Sequence, residues 1–349
     1  MSQLTYNPNK ISEDDFPVTG SIADKLKFLL KYAVFAPSSH NTQPWKFEIK
    51  EDAIKLYADK TRALPIADPD LRELIISCGA ALFHLRIAIR HFGYGDVVEI
   101  FPERHNPNLL AQISFGSKRI TQLEERLLFR AIPKRCTNRL TFEDDLLPQS
   151  FLSELKSACC SQQSGLLKIC TQKIPADKRD EVINLITEGD RLQMANPLFR
   201  KELAKWIHPA NNPRHDGIPG YAQGLNKRLD SLTPIISQVV RTLNLGKLQA
   251  AKDRRLAIEA PTLMLIGSAS DRPADWLSTG EALAHLLLRA RVENVWASFF
   301  NQPIQVPQLR SRLQTLFPET GYPQILLRLG YAREVSPTPR RSVDEVVSG

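Results

Sequence analysis

Residues 36–45 read APSSHNTQPW. The stretch holds no Lys, Asp, Glu or Cys, and its only titratable side chain is His40. It is poor in acid–base groups and rich in uncharged hydroxyls and amides, which donate and accept hydrogen bonds without adding charge. Two readings stand: a turn that ends a helix, or a cradle for a flat, polar ring. Ser38, Ser39, Asn41 and Gln43 are the candidate contacts of such a ring. Pro37 and Pro44 would stiffen the loop and lower the entropy lost on binding. Trp45 reads as core packing behind the loop rather than a stacking partner.

Other reactive residues offer less. His208, His215 and Asp216 invite a metal, but PANNPR beside them is loop-like and no third ligand is spaced to match, so no metal site is expected. The five cysteines, Cys78, Cys136, Cys159, Cys160 and Cys170, form no CxxC pair. Neither structural zinc nor a secreted disulfide framework is indicated, and a cytoplasmic location is expected.

The loop must be held by the elements around it. Ser21 and Asp24 form a capping box that opens a helix, whose apolar stripe is Ile22, Leu26, Leu29, Leu30 and Ala33. Pro37 stops it. KFEI (46–49) and IKLYA (54–58) read as paired strands. Asp68–Pro69 starts a second helix that ends at Gly93. VVEIF (97–101) and AQISF (111–115) read as strands, and about 119–132 as a helix ending at Pro133. A second set follows: a helix at 151–160, a strand LLKICT (166–171), a buried strand PTLMLIG (261–267), a helix at about 279–296 capped by Ser278 with Glu281, and a strand ILLRLGY (325–331). Between them, about 190–250 is polar and Pro-rich, and reads either as a lid or as a surface helical excursion.

The chain has 349 residues, enough for two units of ~100–200 residues each. Apolar content is 42% and the net charge is +8. Yet no long Lys/Arg run occurs and aromatics do not interleave with basic residues, so a nucleic-acid partner is not expected. The N-terminus lacks an apolar signal region and no run of 18 apolar residues occurs, so no membrane partner is expected either.

SCGAALFHL (77–85) and STGEALAHL (278–286) share Ser, Gly, Ala, Leu, His and Leu in one register. Asp70 and Asp271 keep the same offset. Chance likeness of two Leu/Ala-rich helices is one account. A duplicated module whose long helices pack together is the other, with Gly79 and Gly280 allowing close approach at ~1 kcal/mol each in helix propensity. His84 and His285 then fill one slot in each copy, as hydrogen-bonded, half-buried histidines rather than metal ligands.

PSSHNTQPW (37–45) resembles the PSSxNxQPW loop of the FMN-dependent nitroreductase superfamily. RCTNR (135–139) looks like that family's opening RxSxR/K segment. NQPIQVP (301–307), GYPQILLRLGYA (321–332) and PRR (339–341) look like its closing part. The order and the long insertion resemble the duplicated, single-chain, Acg-like branch. The resemblance spans nearly the whole chain apart from the first 20 residues and the insertion. It implies an α+β, nitroreductase-like fold of two fused, degenerate modules (1–128, and 129–349 with the insertion at 190–250) forming an intramolecular pseudo-dimer. The first half keeps the loop but has no Arg motif in ISEDDFPVTG. The second keeps the arginines, but its counterpart loop has decayed to CCSQQSGLL (159–167). One complete flavin site is therefore expected.

The resemblance further implies FMN as cofactor, held by Pro37, Ser38, Ser39, Asn41, Gln43, Arg135, Thr137, Arg139, Gln302, Pro303, Arg340 and Arg341. The phosphate carries about −1.5 to −2 charge. Arg135 and Arg139, four apart on one helical face, are expected to reach it together, with Thr137 between them. Asn41 and Gln43 are expected at the ring's pyrimidine edge. The implied activity is reduction of a nitro- or quinone-like small molecule by NADH or NADPH through FMN. The alternative is a protein that stores or sequesters FMN beneath a lid. A monomer or weak homodimer is expected, and no catalytic side chain is singled out.

Overall fold

A computed structural model of the chain describes residues 11–160, 169–224 and 227–348. Most of the counterpart loop 159–167 lies outside the described residues. The first half contains α1 (Ile22–Ala33), β1 (Trp45–Lys50), β2 (Ala53–Ala58), α2 (Arg72–His91), β3 (Tyr94–Ile100), β4 (Leu109–Lys118) and α3 (Leu123–Ala131). The second contains α4 (Gln149–Cys160), β5 (Ile169–Lys173), α5 (Ala176–Ala195), α6 (Pro197–Lys205), α7 (Thr233–Thr242), α8 (Gly246–Glu259), β6 (Thr262–Ser268), α9 (Pro273–Val292), β7 (Trp296–Phe299), α10 (Gln302–Gln305), α11 (Pro307–Leu316), β8 (Tyr322–Gly330), α12 (Val343–Val346) and β9 (Val347–Ser348).

Two sheets result. One runs β3-β4-β2-β1-β9 and the other β5-β6-β8-β7. All pairs are antiparallel except β1 with β9, where Phe47 faces Val347. Thus the end of the chain returns to extend the first sheet. The α+β content and the positions of seven strands agree with the expectation from sequence, whereas β7, which follows an α9 that ends at Val292, and β9 were not expected.

The helices α2 and α9 pack against each other between the sheets. Their crossing admits no side chain. A Cβ on Gly79 would lie 2.0 Å from the Leu277 carbonyl oxygen, and one on Gly280 would lie 2.0 Å from the Ile76 carbonyl oxygen. The contact is reciprocal, since 79 and 280 share the offset of 76 and 277. α2 is long and apolar enough by composition to cross a membrane, but it is buried along most of its length inside the protein.

Two helix starts depart from expectation. α2 begins at Arg72, not at Pro69, because Leu71 turns into the left-handed region (φ 63°). Asp68 still caps it, accepting from the Glu73 and Leu74 amides at 3.0 and 2.9 Å. α9 begins at Pro273, well before Ser278. Asp275 accepts from the Arg272 amide at 3.0 Å, and Ser278 sits buried within the helix. The insertion is chiefly helical. Pro197 and Pro234 stand in the first turns of α6 and α7, where a missing N–H removes no helical bond.

Candidate functional site

A cavity of about 450 Å³ lies beside the α2–α9 crossing, within the ~300–1,000 Å³ range of small-molecule sites. Four segments meet there: the loop after α1, the residues after α3, the α5–α8 insertion with α10, and the chain's closing strap.

The loop is held in an unusual backbone shape. His40, Asn41 and Gln43 all have positive φ, at 53°, 54° and 51°. Non-glycine residues there persist only where the surroundings hold them. The holding contacts are visible. The Gln43 amide donates to Ser38 Oγ at 2.9 Å, and Ser39 Oγ donates to Glu73 Oε2 at 2.5 Å. Trp45 is fully buried behind the loop, as core.

Asn41 and Gln43 do not present free amides to a ring. Asn41 Nδ2 donates to the carbonyls of Gly217 (3.0 Å) and Pro339 (3.1 Å), and its Oδ1 accepts from Arg340 Nη1 at 2.9 Å. Gln43 Nε2 donates to the His215 carbonyl at 2.9 Å, and its Oε1 accepts the Arg341 amide at 2.8 Å. These amides latch the insertion and the strap onto the loop. Arg62 reinforces the latch by pairing with buried Asp216, which also meets His208 at 3.0 Å. Among the described residues no cluster of metal-binding side chains occurs.

The segment at 135–139 is extended, not helical; Thr137 bridges to Ala297 in strand fashion. Side chains therefore alternate with a period of two. Arg135, Thr137 and Arg139 line the cavity, while Asn138 points away and anchors the segment through Ala297, Arg333 and Leu140. The two arginines do share a destination, but through strand spacing.

Arg340 of the strap joins them, and Pro37, Ser38, Ser39, Asn41 and Gln302 also line the cavity. Gln43, Pro303 and Arg341 do not. Gln43 is fully buried in its latch, Pro303 is buried in α10, and the Arg341 guanidinium donates to the Gln43 and Glu345 carbonyls.

The electrostatics of one end are one-sided. Arg135, Arg139 and Arg340 are removed from bulk water, and none of the three ion-pairs with a carboxylate among the described residues. Burial lowers the pKa of each, and for Arg340 burial followed by repulsion from Arg135 brings it down to about 9. Arg135 Nε and Arg340 Nε are buried without a hydrogen-bond acceptor. Buried cations at this spacing call for an anion.

The opposite wall is apolar. Met194, Phe199, Leu203, Ile207, Ile236 and Val240 of the insertion roof the cavity. Between the two ends stand polar groups that the sequence reading did not select. Glu73 accepts from Ser39, from Gln305 (3.0 Å) and from Arg72 (3.1 Å). His40 is driven down to about 4, chiefly by burial, with Glu73 opposing and Arg139 assisting. Asp190, Lys252 and Thr338 complete the lining. Glu73 beside Arg72 resembles a surface ion pair in sequence, and only the packing of α2 at both faces reveals it as buried.

No family model matches the chain. It is 28% identical over 333 residues to uncharacterized protein Rv3127 of Mycobacterium tuberculosis, covering 92% of each chain. It is 27% identical to the provisionally named NAD(P)H nitroreductase Rv3131 of the same organism, over 93% of this chain and 91% of the relative. To the provisionally named NAD(P)H nitroreductase acg, also from M. tuberculosis, it is 26% identical over 95% and 97%. Among solved structures, a nitroreductase with bound FMN from Bacteroides fragilis aligns with a TM-score of 0.37 and 15% identity, over 60% of this chain and 93% of that one.

Proposed function

We propose that this chain, similar over most of its length to the provisionally named NAD(P)H nitroreductases Rv3131 and acg, is an FMN-binding oxidoreductase that reduces a nitro- or quinone-like small molecule at the expense of NADH or NADPH. One observation carries the reading. Three guanidiniums, Arg135, Arg139 and Arg340, line one cavity, Arg135 and Arg340 buried and Arg139 half-buried, and none forms a salt bridge with a carboxylate among the described residues. A dianionic phosphate fits that demand, and each charge-assisted bond to it contributes about 1.5–3 kcal/mol.

FMN, when bound, would supply the hydride chemistry, in which nicotinamide and acceptor react in turn. The protein's part is placement. Arg135, Thr137, Arg139 and Arg340 hold the phosphate. Ser38, Ser39 and Pro37 shape the side wall, and Gln302 offers an amide from α10. The insertion's apolar roof keeps water from the reacting end. The reciprocal Gly79–Gly280 crossing supports reading the two halves as a pseudo-dimer, so that one chain supplies both sides of one site and acts as a monomer.

A second reading has its own observation. Asn41 and Gln43 fasten residues 215–217 of the insertion across the loop. If that latch stays shut, nicotinamide cannot reach the ring and the chain stores or sequesters FMN.

Anaerobic mixing of FMN-loaded protein with NADH, then NADPH, followed by flavin absorbance, separates the two. Rapid bleaching upholds the reductase. No bleaching, with dithionite still effective, upholds storage. A chain that binds no FMN overturns both.

A further inference from the structure

Two carboxylates meet at the cavity wall without a cation between them. Asp190 lies on α5 and Asp253 on α8, and both are buried. A single amide serves both: Gln302 Nε2 donates to Asp190 Oδ1 at 3.0 Å and to Asp253 Oδ2 at 2.9 Å. Gln249 Nε2 adds a second donor to Asp253 Oδ2 at 2.9 Å. Asp190 Oδ2 is buried and receives no N–H or O–H from the protein. Neither carboxylate forms a salt bridge among the described residues.

The packing brings the three side chains together. Gly189 precedes Asp190, and a Cβ there would lie 2.8 Å from Gln302 Cβ. The missing side chain lets α10 seat Gln302 against both acids. Asp190, Gln302, Gln249 and Lys252 all line the cavity.

We propose that Asp190 and Asp253 share one proton at this wall and that Asp190 delivers it to an oxygen of the acceptor bound in the cavity. The proposal rests on the oxidoreductase reading. Two carboxylates in one desolvated site do not both ionise. The charges around them decide which keeps the proton. Burial raises the pKa of Asp253 as well, but Gln249, Lys252 and Arg328 oppose that rise, and Arg139 acts on it too. No cation acts on Asp190. Burial, and then the charge of Asp253, raise its pKa far above the usual carboxylate range.

The chemistry needs such a group. Two-electron reduction of a quinone to a hydroquinone takes two electrons and two protons. Hydride from a reduced flavin brings both electrons and one proton. The second proton must reach the acceptor's oxygen beneath a roof of Met194, Phe199 and Leu203. The O–H bond of Asp190 breaks and its electron pair stays on the carboxylate. The proton forms an O–H bond on the acceptor, and water later returns a proton to the pair. The other titratable groups nearby are committed: Lys252 Nζ donates to the Gln223 carbonyl at 3.2 Å. His40 is neutral well above its depressed value of about 4, and Glu73 accepts from Ser39, Gln305 and Arg72.

Infrared spectroscopy of the flavin-free protein tests the first half without any cofactor. A protonated carboxylic C=O band should persist at pH 7, vanish in Asp190→Asn, and titrate at lower pH in Asp253→Asn. Its absence from the wild type at pH 7 overturns the proposal. Stopped-flow reoxidation of dithionite-reduced, FMN-loaded protein by benzoquinone tests the second half. Asp190→Asn should slow reoxidation tenfold or more and abolish the wild-type fall in rate at alkaline pH, where loss of one proton gives about tenfold per pH unit. An unchanged rate and pH profile overturn the donor role. A chain that shows the band yet binds no FMN upholds the shared proton and overturns the flavin reading and the donor role with it.

Discussion

Arg340 Nη1 lies 2.9 Å from Asn41 Oδ1, across 299 positions of sequence. That bond joins the closing strap to the loop after the first helix, and it aims a buried guanidinium at the cavity. Substituting Arg340, Arg135 or Arg139 by Ala should weaken FMN binding about tenfold to a hundredfold each, the loss of one charge-assisted bond. Riboflavin, which has no phosphate, should bind the variants and the wild type alike. Fluorescence titration with both ligands checks this, and equal losses for the two would show that the arginines do not hold a phosphate.

Arg341 is the contrast. Its guanidinium binds backbone carbonyls of Gln43 and Glu345, and its amide binds Gln43 Oε1. Arg341→Ala should lower the melting temperature by several degrees and leave the FMN affinity of the folded protein within about threefold. A thermal scan with a parallel titration distinguishes the two arginines.

The α2–α9 crossing leaves no room for a methyl group. Gly79→Ala or Gly280→Ala would press a Cβ onto a backbone carbonyl 2.0 Å away. Overpacking commonly costs about 1–3 kcal/mol, and a backbone obstacle that cannot rotate aside puts these variants at or above that range. Urea unfolding should show it, while Gly95→Ala, on the rim of β3, should lose far less.

Loosening the latch should open the roof. Gln43→Ala removes the bond to the His215 carbonyl. Cleavage between residues 208 and 224 by a broad-specificity protease should speed up severalfold, as local opening becomes more frequent. Nicotinamide-driven bleaching should speed up with it. Faster cleavage without faster bleaching would mean that the segment does not gate the ring.

His84 links acid to stability. Burial, then Arg135, bring its pKa down to about 3, with a contact to the Tyr32 backbone opposing and Arg340 assisting. The unfolded chain therefore binds a proton near pH 6.5 that the folded chain refuses until about pH 3. Between those values the unfolded state holds more protons, so stability falls as pH falls. Replacing the imidazole by the non-titrating amide in His84→Gln should flatten that slope by up to about 1.4 kcal/mol per pH unit. Urea denaturation between pH 4 and pH 7 reads the slope directly.

Much of this architecture was legible from residue pattern. The Ser21–Asp24 capping box announced α1, and apolar stripes and the repeated Gly announced α2 and α9, because those signals are local, though the start of α9 lies before the Ser278 cap read for it. The arginine segment was legible in membership but not in shape. A spacing of four fits a helix and also two steps of a strand, and only the bridge from Thr137 to Ala297 decides between them. Asn41 and Gln43 misled for a different reason. Their amides suit a ring, but the backbone carbonyls of Gly217, His215 and Pro339 claimed them first, and such partners carry no trace in side-chain sequence. The Asp190–Asp253 pair was invisible because its members sit 63 positions apart in unremarkable helical contexts.

The route of the closing strap has a consequence for biosynthesis. The anion end of the cavity needs residue 135, residue 139 and residue 340, and β9 completes the first sheet only from positions 347–348. Ribosomes release a chain from its N-terminus, and early segments fold first. The first module can therefore collapse on the ribosome with its loop in place, but it cannot retain a phosphate-bearing cofactor until the strap has emerged and docked. On the proposed site, cofactor capture would then be a late, post-translational step.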